Sequence, residues 1–91
     1  MVAMKCVVGG RVQGVFYRAT AAQRARELGI RGYAMNRPDG RVEVLACGEA
    51  PDVQAFLEWL WIGSSASKVT SIECVEVSHE TAQVPAGFRT G

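Results

Sequence analysis

The sequence predicts an α+β sandwich, with two helices on one face of an antiparallel sheet of four to five strands. Three observations carry that expectation. Short runs such as residues 4–8 and 41–47 are nearly all apolar or alternate with the period of a strand. Two longer stretches repeat apolar residues at helical spacing, one through Ala21, Ala25 and Leu28, the other through Val53, Phe56, Leu57, Leu60 and Trp61. Between two strand-like runs stands Arg37-Pro38-Asp39-Gly40, in which proline presets the first turn position and glycine closes the turn.

Residues 4–8 form the first strand, short and nearly all apolar, as suits a strand inside a sheet. A glycine-bearing loop, residues 9–18, leads into a first helix at 19–28. The small alanines of that helix let it lie close to the sheet, and Gly29 is placed to end it. Residues 30–36 and 41–47 are the second and third strands, joined by the proline turn into a hairpin. Val42, Val44 and Ala46 share one face of the third strand; Arg41, Glu43 and Leu45 share the other. Pro51 suits the first turn of a second helix, whose wide apolar stripe supplies the larger part of the core. Trp59 and Trp61 cannot face inward equally, and Trp59 is expected to be the more exposed. Gly63-Ser64-Ser65 ends that helix. Residues 69–77 make a fourth strand with Glu73 and Glu76 outward, 78–86 a polar loop, and Phe88 belongs to a short last strand. The order β-α-β-β-α-β is that of a split β-α-β, or ferredoxin-like, sandwich.

Ninety-one residues make one domain over 1–91, with a single modest core. No apolar run approaches the roughly 20 residues that cross a membrane. The first residues carry no secretory signal, so a cytoplasmic monomer is expected. Cys6, Cys47 and Cys74 are scattered and odd in number, which fits free thiols better than a disulfide framework. A Cys6–Cys47 bridge would require neighbouring strands. Charge is uneven: residues 1–41 hold eight basic side chains against Glu27 and Asp39, and residues 42–91 two against seven acidic ones. The basic half carries the loop at 9–18, and a local positive field draws in anions.

That loop is the candidate site. It runs from a strand end to a helix N-terminus, where the first N–H groups lack internal partners and the helix dipole adds partial positive charge. Such a junction can cradle an anion, and the forked guanidinium of Arg18 can grip two phosphate oxygens. The plainer alternative is a tight turn beside a solvated arginine. His79, the single histidine, reads as a surface loop residue. No Cys, His or Asp cluster has metal-ligand spacing, and no serine or cysteine lies beside the loop with a base to activate it. The loop also lacks the Gly-Lys-Ser/Thr ending of a nucleotide-binding phosphate loop.

The wording of the stretch adds more. Gly10-Arg11-Val12-Gln13-Gly14-Val15-Phe16-Tyr17-Arg18 resembles the acylphosphatase signature G-x-V-Q-G-V-x-[FY]-R. Gly32-Tyr33-Ala34-Met35-Asn36, then Gly40 and Val42-Glu43-Val44, resembles that family's G-[YW]-x-x-N-x-x-x-G-x-V-E-V. Phe56-Leu57-Glu58-Trp59-Leu60 with Gly63 and Ala66-Ser67-Lys68-Val69 is similar to a third, weaker stretch. Three departures stand out. Ser64 replaces the usual proline, which is expected to affect a loop and not the site; Gly9 is expected to loosen the end of the first strand; and the C-terminus lacks an aliphatic residue after Phe88.

The resemblance implies hydrolysis of the carboxyl–phosphate bond of acyl phosphates, with no cofactor and no metal. It puts the substrate-binding arginine at Arg18 and the water-orienting asparagine at Asn36. The phosphate-binding loop falls on Gln13, Gly14, Val15, Phe16, Tyr17 and Arg18. Gly14 would allow close backbone approach, the neighbours would offer N–H groups, and Phe16 or Tyr17 would turn into the core. Phosphate or sulfate would be a product-like ligand; neither nucleic acid nor membrane is implied. The residues suit this chemistry, because an acyl phosphate expels a carboxylate that is stable as an anion at neutral pH. Two other readings remain: an anion-binding module without turnover, in which Asn36 is only a turn former, and an RNA-binding sheet. The latter needs aromatics on the central strands, and residues 4–8 and 41–47 hold none.

Overall fold

The structure, a computed structural model, describes residues 1–78 and 84–90. His79 lies outside the described residues. The chain runs β1 (Val2–Arg11), α1 (Tyr17–Glu27), β2 (Arg31–Asn36), β3 (Val42–Gly48), α2 (Ala50–Ile62), β4 (Lys68–Val77) and β5 (Phe88–Thr90). The strands form one sheet in the order β4-β1-β3-β2-β5. Strand register explains why one face is covered. Cys6 lies opposite Val44, Val8 opposite Val42, and Ala34 opposite Val44, so these side chains share a face. All five are buried, and with them Tyr17, Ala21, Ala22 and Ala25 of α1 and Val53, Phe56 and Leu60 of α2. The expected ferredoxin-like sandwich is therefore present. No helix among the described residues is long and apolar enough to cross a membrane.

Four expectations need correction. The sheet is mixed, because β5 pairs parallel with β2, Phe88 beside Gly32. The chain leaves the β4 edge and joins the opposite edge, where β2 runs in the direction β5 takes. The first strand is longer than expected and continues past an irregularity between Gly9 and Gly10 to set Arg11 opposite Lys68. At Gly10 φ is 117°, and a Cβ would strike the Lys68 carbonyl, so glycine lets the strand persist there. Trp61, not Trp59, is the more exposed tryptophan, at 53 %. Trp59 stands one turn from Phe56 and stacks on it with centroids 6.1 Å apart, whereas Trp61 falls off the arc of Val53, Phe56 and Leu60. Finally, Cys6 and Cys74 are joined by a disulfide, and Cys47 alone is a free, buried thiol. The β1–β4 register sets the two cysteines directly opposite each other with Cα atoms 4.0 Å apart. Cys47 sits opposite Ala3, on the other face from Cys6, so the Cys6–Cys47 alternative does not form.

Tyr17 locks α1 to α2. Its ring is buried beside Trp59, and its hydroxyl donates to the Leu60 carbonyl at 2.8 Å. That carbonyl is among the last four of α2, which have no partner within the helix. Burial pushes the Tyr17 phenol up, so it stays protonated and keeps donating. Tyr17→Phe, which leaves a buried acceptor without its donor, is expected to lower the unfolding free energy by about 1–3 kcal/mol in urea titrations. An unchanged midpoint would show that this bond contributes nothing.

Candidate active site

Residues 12–16 carry the chain from the end of β1 to the start of α1. Val12 and Tyr17 are buried at the two ends of this crossing, and Phe16 between them is 80 % exposed. Of the two aromatics, then, Tyr17 turns into the core. Phe16 is the residue that caps the helix N-terminus, in the left-handed conformation with φ 62° and ψ 17°. Serine, threonine, asparagine or aspartate usually fills that place and satisfies a first-turn amide with its own oxygen. A phenylalanine cannot, and the first turn holds no acidic residue. Among the described residues, the amides of Gly14, Val15 and Phe16 donate to no backbone carbonyl. The helix start thus keeps the positive end of its dipole and its donors for an outside anion.

Gly14 has φ 73°, and a Cβ there would meet nothing within 4 Å. Glycine is favoured for the turn, and its bare backbone faces a cavity of about 240 Å³. Val12, Gly14, Phe16, Tyr17, Arg18 and Ala19 line that cavity. Four of the residues expected from sequence, Gly14, Phe16, Tyr17 and Arg18, therefore meet around one hollow.

The other three are arranged differently. Gln13 acts through its side chain: Nε2 donates to the Arg37 carbonyl at 2.8 Å and to the Arg41 carbonyl at 3.0 Å. It bridges the loop to the two ends of the turn between β2 and β3. Asn36 is the exposed last residue of β2, next to the Arg37 carbonyl that Gln13 holds, and is not in the cavity lining. It shares its sheet face with Ala34, the face on which α1 lies. Val15 is half-buried against the core, and its carbonyl accepts from Ser64 Oγ at 2.6 Å. The expectation that Ser64 affects a loop and not the candidate site therefore needs correction, since its hydroxyl reaches a residue of the candidate loop. A proline there would have no hydroxyl to donate. The one signal in sequence was a short hydroxyl residue just past the helix-ending Gly63.

The turn is also held by charge. Asp39 accepts from Arg41 at the backbone N–H, at Nε and at Nη2, the last at 2.7 Å. The Arg41 side-chain bonds, followed by its backbone bond, hold the Asp39 carboxyl down at about 2. On the outer face Glu43 accepts from Tyr33 Oη at 2.6 Å and lies 3.6 Å from Arg37 and 3.8 Å from Lys5. Burial, and then the bond to Glu43, pushes the Tyr33 phenol up to about 12.

With this geometry in place, comparison with known proteins is direct. The acylphosphatase family model matches residues 4–90. A protein of Nitrosococcus oceani named acylphosphatase is 45 % identical over 82 residues, which span 90 % of this chain and 86 % of that one. One of Chromohalobacter salexigens, also named acylphosphatase, is 54 % identical over 71 residues, 78 % of this chain and 79 % of that one. The crystal structure of acylphosphatase from Bacillus subtilis superposes with a TM-score of 0.92 at 38 % identity, covering 100 % of this chain and 99 % of that one.

Gln13→Leu tests the bridge. It should speed hydrogen exchange at the Arg37 and Gly40 amides about five- to tenfold, with α2 unaffected, since a lost bond of about 1–1.5 kcal/mol frees the turn. Unaltered exchange at both amides would show the turn to be held without Gln13.

Proposed function

The chain belongs to the acylphosphatase family, hydrolases of acyl phosphates, and we propose how its own residues carry that reaction. The observation that carries the reading is a helix start with no side-chain cap, open to a cavity that Arg18 also lines. The phosphoryl group lies in that cavity. The amides of residues 14–16 and the Arg18 guanidinium take its non-bridging oxygens and stabilise their charge as the bond breaks. Asn36 holds the attacking water by a hydrogen bond, on the turn that Gln13 draws to the loop.

Water oxygen forms a bond to phosphorus as the phosphorus–acyl oxygen bond breaks, and the carboxylate leaves with the electron pair. A neutral amide takes no proton near neutrality, so the water's proton passes to the phosphate. The leaving group needs no acid, and Arg18 with the amides supplies the charge that a metal would otherwise bring. One chain completes this arrangement, so a monomer suffices for it, and inorganic phosphate or sulfate is the product-like occupant.

The test is hydrolysis of benzoyl phosphate with and without chelator. Wild type should be chelator-insensitive. Arg18→Ala should lose about 10²–10³-fold or more in kcat/KM, the range seen when one oxyanion donor is removed. Asn36→Ala should lose turnover while inorganic phosphate still binds; retained turnover would remove Asn36 from its role. The pH profile of kcat should also be flat from about pH 5 to 8, because the step uses no protein base. Asp39, lowered to about 2, is charged above that pH, and Tyr33, raised to about 12, is neutral below it, so neither imposes a break in that window.

A further inference from the structure

The cavity is small. At about 240 Å³ it falls below the roughly 300–1,000 Å³ of sites that engulf a drug-sized ligand. It takes a phosphoryl group, and the acyl part of the substrate must then lie along the rim. Phe16 is at that rim. Its ring, 80 % exposed, is the most exposed large apolar side chain among the described residues.

Phe16 is also held in a conformation that a bulky residue seldom adopts. Glycine would make the same turn without strain, so the ring is kept at a cost, as happens at functional positions. The backbone is fixed on both sides of it. Ser64 Oγ donates to the Val15 carbonyl before it, and Thr20 donates to the Phe16 carbonyl from both its N–H and Oγ1, at 3.0 and 2.8 Å. An apolar plane is thereby presented in a defined place, two residues from Arg18.

On the mechanism given above, we propose that Phe16 is the acyl-group platform of this enzyme and favours acyl phosphates with an aromatic or apolar acyl group. A flat ring of the substrate packs on the Phe16 face while its phosphate sits in the cradle. An acetyl group is too small to cover that face. Aromatic packing of this kind supports about a three- to tenfold preference.

The experiment compares kcat/KM for benzoyl phosphate and acetyl phosphate in wild type, Phe16→Ala and Phe16→Leu. The benzoyl-to-acetyl ratio should fall about three- to tenfold in Phe16→Ala and less in Phe16→Leu. Inhibition by inorganic phosphate, which has no acyl group, should change far less than that ratio. An unchanged ratio overturns the proposal. An equal loss for both substrates and for phosphate overturns it too, since the ring would then act through the loop backbone. Binding of benzoylphosphonate against acetylphosphonate, measured by calorimetry, reads the same ratio without turnover. Should hydrolysis fail while that binding ratio still depends on Phe16, the mechanism falls and the platform stands.

Discussion

The hydroxyl of Tyr17, donating to the Leu60 carbonyl, ties the first turn of α1 to the last turn of α2. Everything at the site follows from where that places the chain. With Tyr17 turned into the core, the residue before it must point away, and Phe16 does, through a left-handed backbone. The helix then starts without a capping oxygen. A core contact thus decides the polarity of a surface loop. A phenol is protonated near neutrality and burial only extends that range upward, so the link does not depend on pH there.

A second constraint concerns which loop atoms are already engaged. Ser64 and Thr20 both donate to loop carbonyls, those of Val15 and Phe16. Gln13 donates outward to the carbonyls of Arg37 and Arg41. Each of these side chains supplies a proton and none accepts one from the loop. Acceptors are consumed while N–H groups are left over, so the loop is rigid and short of negative partners at once. A loop fixed instead by aspartate or asparagine oxygens would be equally rigid but would have used the donors an anion needs.

Local pattern made much of this legible. The helical stripes of Ala21/Ala25 and Val53/Phe56/Leu60 and the turn at Pro38-Asp39-Gly40 are written in neighbouring residues and were found where expected. The loop before α1 was found too, but shortened to residues 12–16 by a longer strand and an earlier helix start. What escaped was set by partners far along the chain. Gln13 finds its acceptors 24 and 28 residues away, Ser64 bonds a carbonyl 49 residues back, and Cys6 meets Cys74 across 68. Spacing rules report on one element at a time, and register between strands is invisible to them. The choice between Phe16 and Tyr17 was open for the same reason: either ring could turn inward, and the unpartnered Leu60 carbonyl, distant in sequence, selects the one with a hydroxyl.

The basic half of the chain can now be read more narrowly. Arg37 and Arg41 are bound to Asp39, Arg37 and Lys5 approach Glu43, and Arg24 pairs with Glu27. Exposed pairs of this sort contribute little to stability, but each neutralises a cation that would otherwise compete for the substrate. The acidic residues Asp39 and Glu43 lie on the same hairpin as Asn36, and what they hold is its turn and outer face. Their charge is answered locally, so a phosphate arriving at the loop meets a hairpin without a strong field of either sign. At the cavity itself the helix start adds its own positive end, and Arg18 lines the same hollow. The sequence suggested a local positive field around the loop; the pairing of Lys5, Arg24, Arg37 and Arg41 with carboxylates leaves that field weaker than a charge count over 41 residues implies.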